Sequence, residues 1–168
     1  MLAGSGANLI ATEVVSSGGV ASGTIVSGLG ALNVLAGGSA AGVTVRNDGV
    51  LNVFSGGRVT GGLVSAGIPT GGSAVIWAGG SATDLIVSGV EIVSSGGAVS
   101  GTVLFNYSFI SAGGTATGTL ISGVGPGDHS LQYDGSVGRQ RVRLRHGLEC
   151  DLVVGRWPCR AALCAARR

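Results

Sequence analysis

The chain has 168 residues, of which 34 are glycine, 11% are charged and 4% are aromatic. This composition excludes a conventional core of large side chains, and the 45% share of hydrophobic residues excludes a highly charged disordered chain. The formal net charge of +2 conceals an uneven distribution, because residues 125–168 hold eight of the ten arginines, both histidines and all three cysteines. A boundary is therefore predicted near Gly125-Pro126-Gly127.

The first segment, residues 1–12, is predicted to be a lead-in or a partial coil. The N-terminal sequence MLAGSGANLIATEVV has no basic start and no continuous apolar run, so no secretory signal is visible. The chain also contains no apolar run of about 18 residues, the length that a membrane-spanning helix requires. We therefore expect no membrane insertion by this chain.

Paired glycines recur through the next segment and define a repeat. The steps between successive pairs are 19, 19, 23, 17 and 17 residues, and the longest step contains a Pro-containing insert at residues 66–73, predicted to lie in a loop. The pairs are Gly18-Gly19, Gly37-Gly38, Gly56-Gly57, Gly79-Gly80, Gly96-Gly97 and Gly113-Gly114. Units that begin five residues before each pair start at Glu13, Leu32, Leu51, Ala74, Glu91 and Ser108.

Aligning the six units reveals three columns of apolar residues. Position 3 holds Val15, Val34, Val53, Ile76, Val93 and Ile110. Position 9 holds Ala21, Ala40, Val59, Ala82, Val99 and Ala116, and position 14 holds Val26, Val45, Val64, Val87, Leu104 and Ile121. Position 11 holds glycine in every unit except the fourth, which has Asp84. Three inward columns separated by glycine corners predict one coil of a β-solenoid with three short faces.

The predicted fold class is therefore all-β: a parallel β-helix (β-solenoid) of about six coils at residues 13–124. Helices are disfavoured, because glycine recurs every few residues and each costs about 1 kcal/mol relative to alanine in a helix. The last segment, residues 125–168, is predicted to be an irregular tail rich in arginine and cysteine.

Residues that could act in catalysis or bind a metal ion are sparse in the repeats. The acidic side chains are Glu13, Asp48, Asp84 and Glu91. Glu13 and Glu91 share the first column, but four coils separate them by about 19 Å, too far for paired acid–base work, and solvated corners are the expected setting. The glycine pairs lack the aspartates of calcium-binding nonapeptide repeats, and RNDGV at residues 46–50 is predicted to form a turn. No catalytic, cofactor-binding or metal-binding residue is predicted.

Two sets of outward side chains stand out in the repeats. Asn33 and Asn52 occupy position 2 of adjacent units and are predicted to form an amide ladder. Leu35, Phe54 and Trp77 occupy position 4 of three successive units, which places them on one face if the alternation holds. Such a stripe either forms a contact surface or is covered by a neighbouring segment, and the sequence leaves both alternatives open.

The tail has a different character. Arg139, Arg141, Arg143 and Arg145 alternate with other residues, as in a strand with one basic face. Tyr133 alone is too little for a base-stacking platform, so no nucleic-acid binding is expected. His146 with Cys150, Cys159 and Cys164 lacks the paired spacing of a zinc site. The ending WPCRAALCAARR is open to two interpretations, a real module or a frameshifted end.

The repeats resemble those of a known family. GGSATDLIVSGVEIVSSGGAVSGTVL at residues 79–104 and SAGGTATGTLISGV at residues 111–124 are similar to the glycine-rich repeats of AIDA-type self-associating autotransporter adhesins. The resemblance implies a right-handed parallel β-helix passenger domain on the surface of a Gram-negative bacterium. Members of this family are glycosylated on Ser and Thr of the repeats, and comparable positions here are Ser22, Thr24, Thr83, Ser100, Thr102, Thr117 and Thr119. The alternative is that these residues were selected for turns and strands.

The expected function is that of a structural and adhesive module of a larger surface or secreted protein. Its expected partners are further copies of the protein, surface receptors or glycans, and no enzymatic activity is expected. One alternative is a fragment of a carbohydrate-active β-helix enzyme, for which turnover of acidic polysaccharides is the discriminating observation. Another is a truncated gene product without independent function.

Overall fold

The computed structural model describes residues 11–67 and 70–122, together with the backbone of four later strands at 130–134, 139–144, 148–153 and 164–165. Every regular element in these parts of the chain is a β-strand, numbered β1–β19 in chain order. Among the residues that were placed, there is no helix with the length and hydropathy needed to cross a membrane.

One face of the molecule is a seven-stranded parallel sheet, called sheet A here. Each coil contributes one short strand to it, and equivalent repeat positions of successive coils lie side by side, as in the pairing of Leu32 with Leu51. In sheet order the strands are β1 (Thr12–Val15), β4 (Ala31–Val34), β6 (Val50–Val53), β8 (Ser73–Ile76), β10 (Val90–Val93), β13 (Tyr107–Ser111) and β16 (Ser130–Asp134).

The remaining strands form one continuous sheet, called sheet B. The strands of the coils are β2 (Val20–Ser22), β3 (Ile25–Val26), β5 (Ser39–Val45), β7 (Arg58–Val64), β9 (Ser81–Val87), β11 (Ala98–Ser100), β12 (Val103–Leu104), β14 (Thr115–Thr117) and β15 (Thr119–Ile121). These strands pair in parallel with the same register as the repeat. The predicted parallel β-solenoid of about six coils is therefore confirmed.

A bend at position 11 divides sheet B into two faces. Every residue at this position has a positive φ, from 55° at Asp84 to 66° at Gly23 and Gly101. Glycine adopts this left-handed region without a Cβ penalty, and aspartate is one of the few other residues that visits it. The one non-glycine in the column therefore keeps the backbone conformation, and each coil has the three faces that the sequence predicts.

The glycine pairs have two separate structural roles, illustrated by Gly56-Gly57. Gly56 has a φ of +74° in the turn between sheet A and sheet B. Gly57 lies directly against the preceding coil, where an added Cβ would collide with the carbonyl oxygen of Val34. The first glycine thus permits the turn, and the second permits two coils to stack closely.

The core contains five inward columns rather than three. Positions 3, 9 and 14 are buried as predicted in every unit whose side chains are described there, which leaves out Ile121, and Val34, Val53 and Ile76 are fully inaccessible. Position 1 is also buried, at Leu32, Leu51, Ala74, Glu91 and Ser108, and so is position 12, at Val43, Leu85, Thr102 and Thr119. The expectation of a solvated corner is wrong for Glu91, which is 1% exposed, because position 1 points inward. Glu13, in the first described coil, is exposed.

The tail continues both sheets before the chain direction reverses. β16 pairs in parallel with β13, and β17 (Arg139–Leu144) pairs in parallel with β15. β18 (Leu148–Val153) and β19 (Cys164–Ala165) then add to the edge in antiparallel fashion. The predicted strand through the alternating arginines is thus present over Arg139–Leu144, while Arg145, His146 and Cys159 lie outside the described residues.

Candidate functional site

The outer face of sheet A carries no charged side chain over its first six strands. Each strand and the residue after it present three outward positions, and all of them are exposed or half-buried. They are Thr12, Val14, Ser16, Ala31, Asn33, Leu35, Val50, Asn52, Phe54, Ser73, Val75, Trp77, Val90, Ile92, Ser94, Tyr107, Phe109 and Ser111. A continuous uncharged surface of this kind is typical of a contact site.

The predicted amide ladder is present in this face. Asn52 Nδ2 donates a hydrogen bond to Asn33 Oδ1 at 2.9 Å. Trp77 Nε1 donates in turn to Asn52 Oδ1 at 3.3 Å. An indole nitrogen is only a donor, so this contact fixes the orientation of the Asn52 amide, which in turn fixes that of Asn33. The three side chains therefore form one directional chain across three coils.

Aromatic rings lie beside the ladder. Phe54 and Trp77 stack with ring centroids 5.9 Å apart and planes within 2° of parallel. They line an open groove of about 480 Å³ with Leu35, Ala36, Ser55 and Ala78. Trp77 remains 43% exposed beside these neighbours. We call Asn33, Leu35, Asn52, Phe54 and Trp77 the aromatic–amide patch.

A second aromatic pair extends the same face. Tyr107 and Phe109 stack with centroids 6.3 Å apart and an interplanar angle of 19°. Both side chains point outward from β13, on either side of the buried Ser108. The alignment of units did not reveal this pair, because the equivalent columns hold Val50 and Val75 in earlier units. The signal that could have revealed it is the alternation of outward and inward residues in β13, which places Tyr107 and Phe109 on the same side.

The buried polar groups form a cluster inside the last two described coils. Glu91 accepts hydrogen bonds from Ser108 Oγ at 2.8 Å and from Thr102 Oγ1 at 3.4 Å. Thr119 follows Thr102 in the same column, and its buried hydroxyl has no hydrogen-bond partner among the described residues. Burial raises the pKa of the Glu91 carboxyl, and the bonds from Ser108 and Thr102 oppose this rise only in part.

The other acidic residues do not converge on a site. Glu13 lies on β1, four strands from Glu91 on β10, while Asp48 and Asp84 are exposed at corners. The RNDGV turn is confirmed, with φ of 47° at Asn47 and 61° at Asp48. Within residues 11–67 and 70–122, no three His, Cys, Asp or Glu side chains are grouped so as to hold a metal ion.

The seven candidate glycosylation positions differ in accessibility. Ser22 and Thr117 are exposed, and Thr24, Thr83 and Ser100 are half-buried. Thr102 and Thr119 are buried in the core at position 12, so their hydroxyls face other side chains and not solvent. The resemblance of the repeats did not separate these two residues from the other five, because threonine occurs both on exposed strands and in polar cores.

Comparison with known proteins gives a likeness to a solved structure. No protein-family model and no curated protein matches the chain. Among solved structures, it is similar to the TibA fragment 55–350, described as hyper-glycosylated by TibC, with a TM-score of 0.58 and 27% identity. The match covers 77% of this chain and 52% of that fragment, so the chain spans about half of its length. This likeness fits the resemblance of the repeats to AIDA-type autotransporter adhesin passengers.

Proposed function

We propose that the chain is an adhesive module of a bacterial surface or secreted protein, and that the outer face of sheet A makes the contacts. The observation that carries this proposal is the uncharged face itself, with the aromatic–amide patch exposed on it. Moving an exposed aromatic side chain from water into an interface lowers the free energy, and aromatic residues are therefore enriched in interfaces.

The structural likeness supports the adhesive role. TibA is an autotransporter adhesin passenger, and its fragment shares the β-solenoid arrangement over most of this chain. A cell-surface or extracellular location in a Gram-negative bacterium is part of this proposal, and the same likeness supports it. The stacked coils supply a stiff scaffold, because every coil is hydrogen-bonded to the next along both sheets.

The proposed partners are further copies of the protein, surface receptors or glycans, and the proposed mechanism is non-enzymatic. Contact would come from shape complementarity and many weak interactions along the face. The two arginines of the repeats, Arg46 and Arg58, lie outside the outer face of sheet A, so this face offers no cation to a nucleic-acid phosphate.

Adhesion of protein-coated beads tests the proposal. Beads coated with the full chain are expected to clump or to attach to cultured cells, and the double variant F54A/W77A is expected to abolish most of this attachment. I86A is the matched control, since Ile86 is exposed to a similar degree as Trp77 but lies on sheet B. Equal attachment by all three proteins would contradict the assignment of the face, and turnover of an acidic polysaccharide would contradict the non-enzymatic role.

A further inference from the structure

We propose that the aromatic–amide patch binds a neutral glycan of β-linked pyranoses, with the sugar rings against Phe54 and Trp77 and the hydroxyls on the asparagine ladder. This inference rests on the proposed function, because it names the partner of the same face. It goes further in assigning the ligand class and the side chains that recognise it.

The apolar half of the patch suits the flat side of a sugar ring. A pyranose with equatorial hydroxyls exposes axial C–H groups on its faces, and these groups pack against the electron-rich face of an aromatic ring. Phe54 and Trp77 lie on adjacent strands and stack on each other with planes within 2° of parallel, so the sides of the rings that face each other are covered. Trp77 nevertheless remains 43% exposed and offers this exposed surface to one sugar ring. The outward edge of Phe54 and the side chain of Leu35 continue the apolar floor under the neighbouring sugars.

The polar half of the patch suits sugar hydroxyls. Each asparagine carbonyl has two lone pairs, and the ladder occupies one at Asn33 and one at Asn52. Among the described residues, the Asn33 Nδ2 group donates to no protein acceptor, and Asn33 remains half-buried at the edge of the groove. A hydroxyl is both donor and acceptor, so it can satisfy the Asn33 donor and a free lone pair in one site.

Charge and size favour a neutral glycan over other occupants. Over the first six strands of sheet A, the outer face has no charged side chain to pair with an acidic polysaccharide or an acidic peptide. The six strands span about 24 Å and the three outward columns about 13 Å, giving roughly 310 Å². A stable dimer needs about 800 Å² from each partner, so this face alone is too small for a stable dimer in solution. Copies would associate through it only where many weak contacts act at once, as between coated beads.

Fluorescence titration of the full chain tests this inference. In a W157F background Trp77 is the only tryptophan, so its emission reports events at the patch. We expect saturable quenching or a spectral shift with cellohexaose, and a much smaller effect with the acidic hexamer of galacturonic acid. Replacing Phe54 or Asn33 with alanine is expected to raise the Kd by about tenfold, a loss of about 1.4 kcal/mol.

Controls separate the patch from the rest of the surface. I86A on sheet B and F109A on the same face are expected to keep the Kd, and thermal unfolding checks that all variants fold. Absence of saturable cellohexaose binding, equal loss in I86A and F54A, or tighter binding of the acidic hexamer would overturn the inference. Concentration-dependent dimerisation in sedimentation that F54A abolishes would assign the patch to a second copy and would overturn it as well.

The bead experiment distinguishes this inference from the proposed function. If coated beads attach to cells while cellohexaose fails to bind, the adhesive role stands and the glycan assignment falls. If cellohexaose binds at the patch while the beads neither clump nor attach, the ligand assignment stands and the adhesive role falls.

Discussion

At the residue scale, the second glycine of a pair and the glycine at position 11 lead to different predictions. G57A is expected to destabilise the protein strongly, because its Cβ would collide with the backbone carbonyl of Val34 in the preceding coil, which cannot move without breaking the stack. G42A instead places a Cβ on a residue with a positive φ whose surroundings are open, so only the backbone cost of about 1–2 kcal/mol applies.

Chemical denaturation of the two variants checks this difference. The free energy of unfolding should fall by about 1–2 kcal/mol in G42A and by a larger amount in G57A. Equal losses would show that coil spacing adjusts to a methyl group, contrary to the close approach seen between the coils.

Glu91 makes a prediction about pH. Its pKa in the folded state lies above the ordinary value of 4.5, chiefly because burial disfavours the charged form. The folded protein therefore holds this proton more tightly than the unfolded chain. The contribution to stability is fully present below about pH 4.5 and is lost as the pH rises through the folded pKa.

The E91Q variant isolates this effect. Glutamine has the same length, offers its carbonyl oxygen to one of the two hydroxyls and its amide N–H to the other, and does not titrate. Denaturation from pH 4 to pH 9 should show wild-type stability falling relative to E91Q as the pH rises. A constant difference between the two proteins across this range would contradict the burial of a titrating carboxyl.

Residue polarity decided which core columns were predictable. Columns 3, 9 and 14 contain only apolar residues, so the alignment of units identified them. Columns 1 and 12 mix leucine and valine with Glu91, Thr102, Ser108 and Thr119, and these polar residues conceal the inward orientation. Glu91 is held by one hydrogen bond from Ser108 in the next coil and by one from Thr102 across its own coil, contacts that the alignment of units does not reveal.

At the element scale, the stability of each strand in sheet A depends on how its inward residues pack against those of the adjacent strands. Leu51 on β6 is fully buried between Leu32 on β4 and Ala74 on β8. L51A is therefore expected to leave a cavity and to cost about 2–5 kcal/mol of unfolding free energy. Val20 on β2 is 74% exposed, so V20A is the control, with an expected change within about 0.5 kcal/mol.

Urea denaturation measures both variants. A loss in L51A no greater than that in V20A would show that the coil collapses around the missing side chain, and that column 1 is less tightly packed than its burial indicates.

The elements themselves were largely predictable, but their grouping into sheets was not. Glycine pairs mark the turn between sheet A and sheet B, so the strands at positions 1–3 follow directly from the repeat. The bend at position 11 also contains glycine, yet β5, β7 and β9 run through it as single strands of seven residues. A positive φ at one residue turns these strands without ending their pairing. The sequence alone does not show whether a glycine ends a strand or only bends it.

At the scale of the whole molecule, each described coil pairs its strands with those of the coil before and the coil after it. The strand order of sheet A follows the chain from β1 to β13 without exception, and sheet B follows it from β2 to β15. Stability in such a stack is approximately the sum of coil and interface contributions. The outer face of sheet A depends on the same arrangement, because equivalent outward positions form a stripe only when the register is constant.

This one-dimensional architecture predicts a gradient of hydrogen-exchange protection. Opening a central coil exposes two interfaces, whereas fraying a terminal coil exposes one, so amides of β6 and β8 should exchange more slowly than those of β1. Exchange measured by mass spectrometry on the full chain checks this, with peptides from β1, β6, β8 and β13. L51A should speed exchange most in its own coil and the adjoining coils, since the lost packing is shared only with them. Uniform exchange of all coils at one rate, unchanged in pattern by L51A, would instead indicate a single all-or-none unit in which the coil is not the unit of stability.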